Sequence, residues 1–273
     1  MFRSGERVSI GCSRTKGDIV RYLLTNDDGI YARGLTALCE ELSRDAECVV
    51  VAPEVEQSAV GHAITLFRPL MVRKARKNGK LLGYAVTGTP ADCVKIGVRE
   101  LAGGPVDLVV SGINLGANVG INVLYSGTVS AATEGAILGV SAMAVSLDTH
   151  READFTFAAK FARRMASSIL RSPLPPGVAL NINVPAVPEG EIRGIRVARQ
   201  SGTPHWESFE KRTDPRERIY YWLTGETSLK ADADPDSDEA ALANRMVTVT
   251  PIHHDLTRHD LMDRLKADLA ELL

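Results

Sequence analysis

From Ile19 onward short β-branched runs alternate with amphipathic stretches, and this rhythm constrains the fold more tightly than any other feature of the chain. IVRYLLT is followed by ARGLTALCEELSRDA and then by ECVVVAP, the order that builds right-handed βαβ units. The alternation continues through TPADCVKIGVRELA as helix, VDLVVSG as strand, TVSAATEGAIL as helix, SAMAVSL as strand, a long helix near Asp154 to Leu170, and the strand VALNINV. It predicts an α/β fold in three layers, a parallel sheet with helices on both faces. In the long helix Phe157, Phe161, Met165 and Ile169 share one face while Lys160, Arg163 and Arg164 fall off it, which sets the buried side. Between the second strand and TPADCV, two strand-like halves flank Asn78-Gly79, the signal of a β-hairpin inserted into the alternation.

The segment before Ile19 is polar, carries both signs of charge and has no period, so residues 1–18 are expected to be a poorly ordered extension. Residues 19–190 form the expected α/β core. After about Val184 the parallel rhythm stops: short strands are expected at IRGIRVA and RIYYWLT, followed by the acidic run DADPDSDEA, a strand at MVTVTPI and a terminal amphipathic helix in which Leu256, Leu261, Leu265 and Leu269 recur. Residues 191–273 therefore read as an extension of strands and helix suited to subunit contact.

Composition narrows the partners. A formal net charge of -2 over 273 residues gives no electrostatic footprint for stable nucleic-acid or membrane-surface binding, which leaves small substrates. No apolar run reaches the roughly 20 residues that cross a bilayer, and the first residues lack the apolar stretch of a secretory signal, so a cytoplasmic protein is expected. Cys12, Cys39, Cys48 and Cys93 are widely spaced with no C-x-x-C pair, which argues against a zinc knuckle and against a disulfide framework.

The densest chemistry falls where strands end. Thr25-Asn26-Asp27-Asp28-Gly29 closes the first strand, at the sheet edge where open α/β folds bind ligands. Adjacent side chains in a strand point to opposite faces, so Gly29 matters: it lets the chain turn and aim both acids at one ion. A plain turn with solvated acids fits the same residues. The same turn lacks the G-x-G-x-x-G of dinucleotide sites, and no G-x-x-x-x-G-K-[ST] occurs, which disfavours a nicotinamide oxidoreductase and excludes a P-loop NTPase. The second strand runs into EVEQSAVGHAIT and brings Ser58 and His62 to that edge; either is also an ordinary loop residue. Asn114, after VVSGI, lies at a third strand end. Asp27, Asp28, Ser58 and Asn114 together make an all-oxygen ligand set, suited to magnesium or manganese rather than zinc.

Gly112 and, in the loop LGANVGINVLYSGTVSAATEG, Gly116, Gly120 and Gly127 permit close backbone approach, and Ser126-Gly127-Thr128 opens the next helix, a natural anion pocket. Thr128 as a simple helix cap is compatible with that reading. Thr89-Pro90-Ala91-Asp92 predicts a capping box. His253, His254 and His259 match no zinc spacing and read as a solvated or subunit-facing cluster. Glu134 stands one turn into its helix, where the dipole alone accounts for it.

With LLTNDDGIYARG, VVAPEVEQSAVGHAIT, VTGTPADCV, DLVVSGINLGAN and VLYSGTVSAATEGA in this order, the chain closely resembles the SurE family of survival-protein nucleotidases, from about Ile19 to Val184 and again at VTVTPIHHDLT. The resemblance implies a Rossmann-like fold and a phosphatase that uses one divalent metal ion per subunit, magnesium or manganese, to dephosphorylate nucleoside 5'- or 3'-monophosphates, in some members also short polyphosphate. It places the metal ligands on Asp27, Asp28, Ser58 and Asn114, with Asp27 and Asp28 catalytic, and the phosphate contacts on Asn118, Ser126, Gly127 and Thr128. It also implies a homodimer or homotetramer built through the C-terminal extension. Ala59 and Asn122 depart from the commonest family pattern without touching a ligand position. Two rivals remain at this stage: a broad phosphatase or exopolyphosphatase, and a nucleotide-binding protein that performs no chemistry.

Overall fold

The computed structural model describes residues 19–149, 151, 153–203, 205–228 and 234–270; the expected N-terminal extension and the first two residues of the acidic run lie outside them. The chain begins with β1 (Arg21–Thr25), α1 (Arg33–Leu42), β2 (Glu47–Pro53), the hairpin β3 (Val72–Lys77) and β4 (Lys80–Val86), and α2 (Pro90–Ile96), which continues as a π-helical turn, Gly97–Leu101. Next come β5 (Leu108–Leu115), the single turn α3 (Asn122–Tyr125), α4 (Gly127–Ile137), β6 (Ala142–Asp148), α5 (Thr156–Arg171) and β7 (Val178–Pro185). The C-terminal part holds β8 (Ile195–Val197), β9 (His205–Thr213), β10 (Ile219–Ser228), α6 (Asp238–Ala243), β11 (Val247–His253) and α7 (His259–Leu269).

Nine strands form one sheet in the order β3-β4-β2-β1-β5-β6-β7-β11-β8. It is parallel from β4 through β7, while β3 and β11 run antiparallel to β4 and β7. Strand alternation divides the core: Tyr22 and Leu24 of β1 join the apolar layer beneath α1 and α5, and Leu23 joins the layer beneath α2 and α4, as a period of two requires. The expected three-layer α/β fold is thus the observed one. From β1 the chain winds to β2 and β4 on one side and then crosses to β5 on the other, so the crevice at the carboxyl ends of β1 and β5 is the topological switch point.

The hairpin turns at Asn78 and Gly79, with φ of 53° and 78°, the left-handed pair its sequence predicted. It extends the sheet through β4 and does not stand apart from it. The C-terminal segment returns to the same sheet through β11 and β8. The hairpin β9–β10 forms its own two-stranded sheet, and the described residues of α7 are all exposed. The end of the acidic run opens α6: Ser237 caps it by accepting from Ala240 N, and Asp238 and Glu239 occupy its first turn, where carboxylates favour a helix start.

Candidate active site at the switch point

The chain leaves β1 buried and turns sharply: Gly29 has φ +95°, a conformation that a side chain resists. Asn26 secures the turn by donating from Nδ2 to Gly29 O at 3.0 Å, and Ile30 N reaches back to Pro53 O at the end of β2. Asp27 and Asp28 are held on this turn, Asp27 buried and Asp28 half-buried. Burial pushes the Asp27 carboxyl up, against opposing hydrogen bonds from Thr128. Burial and then the neighbouring Asp27 and Glu56 push Asp28 up to about 6, although Leu115 N–H donates to it. Among the described residues neither acid is ion-paired with a lysine, arginine or histidine. Desolvated like charges without a counterion are what a cation relieves.

The other predicted ligands lie on the two neighbouring strand ends. The pairing of β5 with β6 is irregular between Gly112 and Asn114, a local bulge of the kind that re-aims a side chain. Asn114 Nδ2 donates to Gly116 O at 2.9 Å, and among the described hydrogen bonds its Oδ1 takes none. The adjacent Leu115 is the residue whose N–H meets Asp28, so the β5 end and the acid turn adjoin. Ser58 sits on the exposed loop after β2 and donates to Glu56 Oε1 at 2.5 Å; one residue earlier, Gln57 N reaches Asp27 O at 2.8 Å. Asp27 and Asp28 thus lie beside the end of β5 that carries Asn114, and Ser58 is tied to the acid turn through the Asp27 backbone and Glu56. Glu56, which sequence reasoning passed over, adds negative field to both acids; its signal was only that it stands two residues before Ser58 in the same loop.

The start of α4 closes the other side. Ser126, not Thr128, is the N-cap: its Oγ accepts from Val129 N at 3.0 Å, and its own hydroxyl hydrogen remains to be donated. Thr128 turns its hydroxyl to Asp27 Oδ1, and its N–H also meets that carboxylate. A Cβ on Gly127 would stand 2.8 Å from Asp27 Cβ and 3.1 Å from Pro90 Cγ, so only glycine lets α4, α2 and the acid turn meet this closely. Asn118 is buried beneath the same loop, its N–H on Asn183 Oδ1 at 2.7 Å and its Nδ2 on Ser146 Oγ at 2.8 Å. Asn181 Nδ2 donates to its carbonyl at 2.7 Å, so β6 and β7 fix the loop from below.

Chemically, the corner offers concentrated negative charge beside a helix N-terminus, two opposed electrostatic features that a cation and an anion satisfy together. A cavity of about 880 Å³ lies along α4 and β11, walled by Val129, Thr133, Ile252 and Leu256 among others. None of the predicted site residues lines it.

Comparison with known proteins agrees with this picture. The profile of a family described as Survival protein SurE matches residues 22–207. A protein of Syntrophus aciditrophicus (strain SB) named 5'-nucleotidase SurE is 66% identical over 252 residues, which is 92% of this chain and 95% of the relative. One of the same name from Syntrophobacter fumaroxidans (strain DSM 10017 / MPOB) is 52% identical, covering 90% of this chain and 98% of its own. The crystal structure of the SurE protein from Aquifex aeolicus superposes with a TM-score of 0.79 at 39% identity, over 90% of this chain and 98% of that one.

Proposed function

The chain belongs to the SurE family, and from that premise we propose that it is a divalent-metal-dependent 5'-nucleotidase, hydrolysing nucleoside 5'-monophosphates, and 3'-monophosphates as a second substrate, to nucleoside and phosphate. Relatives named as 5'-nucleotidases at 66% and 52% identity support the activity. The observation that carries the reading at the level of residues is the adjacent pair Asp27, buried, and Asp28, half-buried, without a basic partner among the described residues. The donor set fits a hard cation: two carboxylates, the Ser58 hydroxyl and Asn114 Oδ1 are all oxygen, the chemistry of magnesium or manganese.

When bound, one such ion per subunit supplies Lewis-acid charge for a phosphoryl group and a more acidic water. The chain's own residues do the rest. Asp27 and Asp28 contribute the charge that holds the ion, and Thr128 fixes Asp27 by a hydroxyl and an N–H. Asn114 and Ser58 complete the set from the neighbouring strand ends. The Ser126 hydroxyl hydrogen and the Gly127 N–H, at the positive end of α4, are suited to hold phosphate oxygens. Asn118 has a second amide hydrogen for the same purpose, and Thr128 borders that corner.

Subunit contact belongs in this reading to the C-terminal extension, residues 191–273. Its hairpin exposes Phe209, Tyr221 and Trp222, and α7 exposes Leu261, Leu265 and Leu269, apolar surface that a homodimer or homotetramer covers. No described helix is long and apolar enough to cross a membrane. Free Cys39, Cys48 and Cys93 suit a cytoplasmic setting.

The experiment is phosphate release from nucleoside 5'- and 3'-monophosphates and polyphosphate with magnesium, manganese or chelator, comparing wild type with Asp28→Asn. Metal-dependent release from nucleotides that Asp28→Asn abolishes is the expected result. Release that survives chelation, or an active Asp28→Asn, would sink the carboxylate site; preference for polyphosphate would make the protein an exopolyphosphatase instead.

A further inference from the structure

Glu134 lies two turns into α4 with its side chain only 4% exposed. A carboxylate so placed is costly unless its oxygens are paired. Here each oxygen has its own partner: Lys95 Nζ donates to Oε1 at 2.8 Å, and His62 Nε2 lies 2.8 Å from Oε2. Burial alone would push this carboxyl up, but the hydrogen bonds from His62 and Lys95 outweigh it and hold the group below the usual glutamate range. Glu134 is therefore ionised at neutral pH, and His62 Nε2 is the donor.

The two partners come from different elements. Lys95 sits in the last turn of α2. His62 belongs to the long loop between Pro53 and Val72, the loop that carries Ser58. That loop has no regular structure of its own, and Ala59 and Gly61 take φ of 54° and 57°. Backbone anchors flank Ser58: Gln57 N on Asp27 O at 2.8 Å, and Gly61 N on Tyr125 O at 2.9 Å. Among the described hydrogen bonds, His62 is the one loop side chain that reaches α4.

We propose that Glu134 and His62 form a clamp that sets the position of Ser58 against α4, the same helix whose first turn holds Asp27. The carboxylate side and the hydroxyl side of the candidate cation site are thereby referenced to one rigid element. His62 and Glu134 are positioning residues in this account and touch neither ion nor substrate; the proposal rests on the reading of Asp27, Asp28, Ser58 and Asn114 as the cation site.

The test is titration of the full-length, substrate-free protein with Mn²⁺, reading free Mn²⁺ by electron paramagnetic resonance, with a thermal melt of each variant. His62→Ala weakens Mn²⁺ binding about tenfold, the size of effect that outer-shell partners of metal ligands show, while kcat at saturating Mn²⁺ stays near wild type. His62→Gln, whose amide nitrogen can reach the same carboxylate oxygen, restores most of the affinity. Lys95→Met removes the other partner of Glu134 without touching the loop, so it lowers the melting temperature and leaves Mn²⁺ affinity unchanged. Wild-type affinity in His62→Ala, or an equal loss in Lys95→Met, overturns the clamp and makes both contacts ordinary ion pairs. Asp28→Asn in the same titration separates the two levels: if it binds Mn²⁺ as wild type does, the cation site itself is wrong and the clamp falls with it. If Asp28→Asn loses binding while His62→Ala keeps it, only the clamp is lost.

Discussion

Two kinds of buried acid lie within a few turns of each other, and their surroundings push them in opposite directions. At Asp27 and Asp28 burial raises the carboxyls. At Glu134 burial acts in the same direction, but hydrogen bonds from His62 and Lys95 prevail and lower it. The consequence for stability follows from linkage: a carboxyl whose folded pKa is depressed stabilises the fold above its unfolded pKa and loses that contribution as pH falls through the folded value. Glu134→Gln should therefore melt below wild type at neutral pH. The gap should close as pH drops below the unfolded glutamate value of about 4.3, because wild type then loses the pair as well. Thermal melts across that range check it, and a gap that widens on acidification contradicts the assignment. At this scale the sequence is legible where chemistry is local. Asp27, Asp28 and Gly29 stand out together because they are contiguous and close a strand, although a plain turn with solvated acids fits the same three residues. The Thr128 contact to Asp27 bridges 101 residues, and the Glu134 contact to His62 bridges 72. No local pattern encodes either, which is why Thr128 reads from sequence as a phosphate contact or helix cap and Glu134 as a dipole partner.

Among the elements, α2 shows the strongest agreement between sequence and geometry. Thr89 Oγ1 accepts from Asp92 N at 3.1 Å and Asp92 Oδ2 accepts from Thr89 N at 3.0 Å, the reciprocal pair that T-P-A-D predicts. The same threonine hydroxyl donates to Ala63 O at 2.7 Å, and Asp92 also accepts from Thr65 N, so the cap staples the loop bearing Ser58 and His62 to the helix start. Thr89→Ala should cost about 1–2 kcal/mol of stability, the upper part of the range for a lost cap because a tether goes with it. Thr89→Ser should retain most of that stability, since its hydroxyl can make both bonds; urea denaturation of the two variants decides, and equal losses would mean that the threonine methyl, not the cap, matters. Elsewhere local pattern ran short. α6 hides in the acidic run because the four aspartates before Glu239 look like a solvated tract until Ser237 is seen to cap a helix that starts at Asp238. β9 is not legible because in HWESFEKRT the aromatic residues Trp206 and Phe209 are three apart and set no period of two, and its pairing with β10 is what defines it.

On the scale of the whole molecule, the parallel order β2-β1-β5-β6-β7 follows from alternating elements and right-handed crossovers, and it alone brings the ends of β1, β2 and β5 together. The return of β11 beside β7 was not legible, since a strand of the form VTVTPIH states its alternation but not its neighbour. After that return α7 stands exposed beyond the end of β11. Eleven residues long and exposed throughout, α7 is shorter than the roughly 12–15 residues at which isolated helices become even marginal in water. Its Leu261, Leu265 and Leu269 recur every fourth residue on one face, 37%, 50% and 52% exposed, while Asp263, Arg264 and Lys266 fall elsewhere. A helix of this length and pattern is held by whatever covers its leucines, and in the proposed assembly that is a second copy of the chain. Leu261→Glu combined with Leu265→Glu should then convert the oligomer to monomer and reduce the helical signal in circular dichroism together. Sedimentation velocity and light scattering read the first change. A wild-type protein that is already monomeric at micromolar concentration would remove the second copy from the account, whereas a doubly substituted protein that stays oligomeric would move the contact from α7 to the exposed aromatic residues of the β9–β10 hairpin.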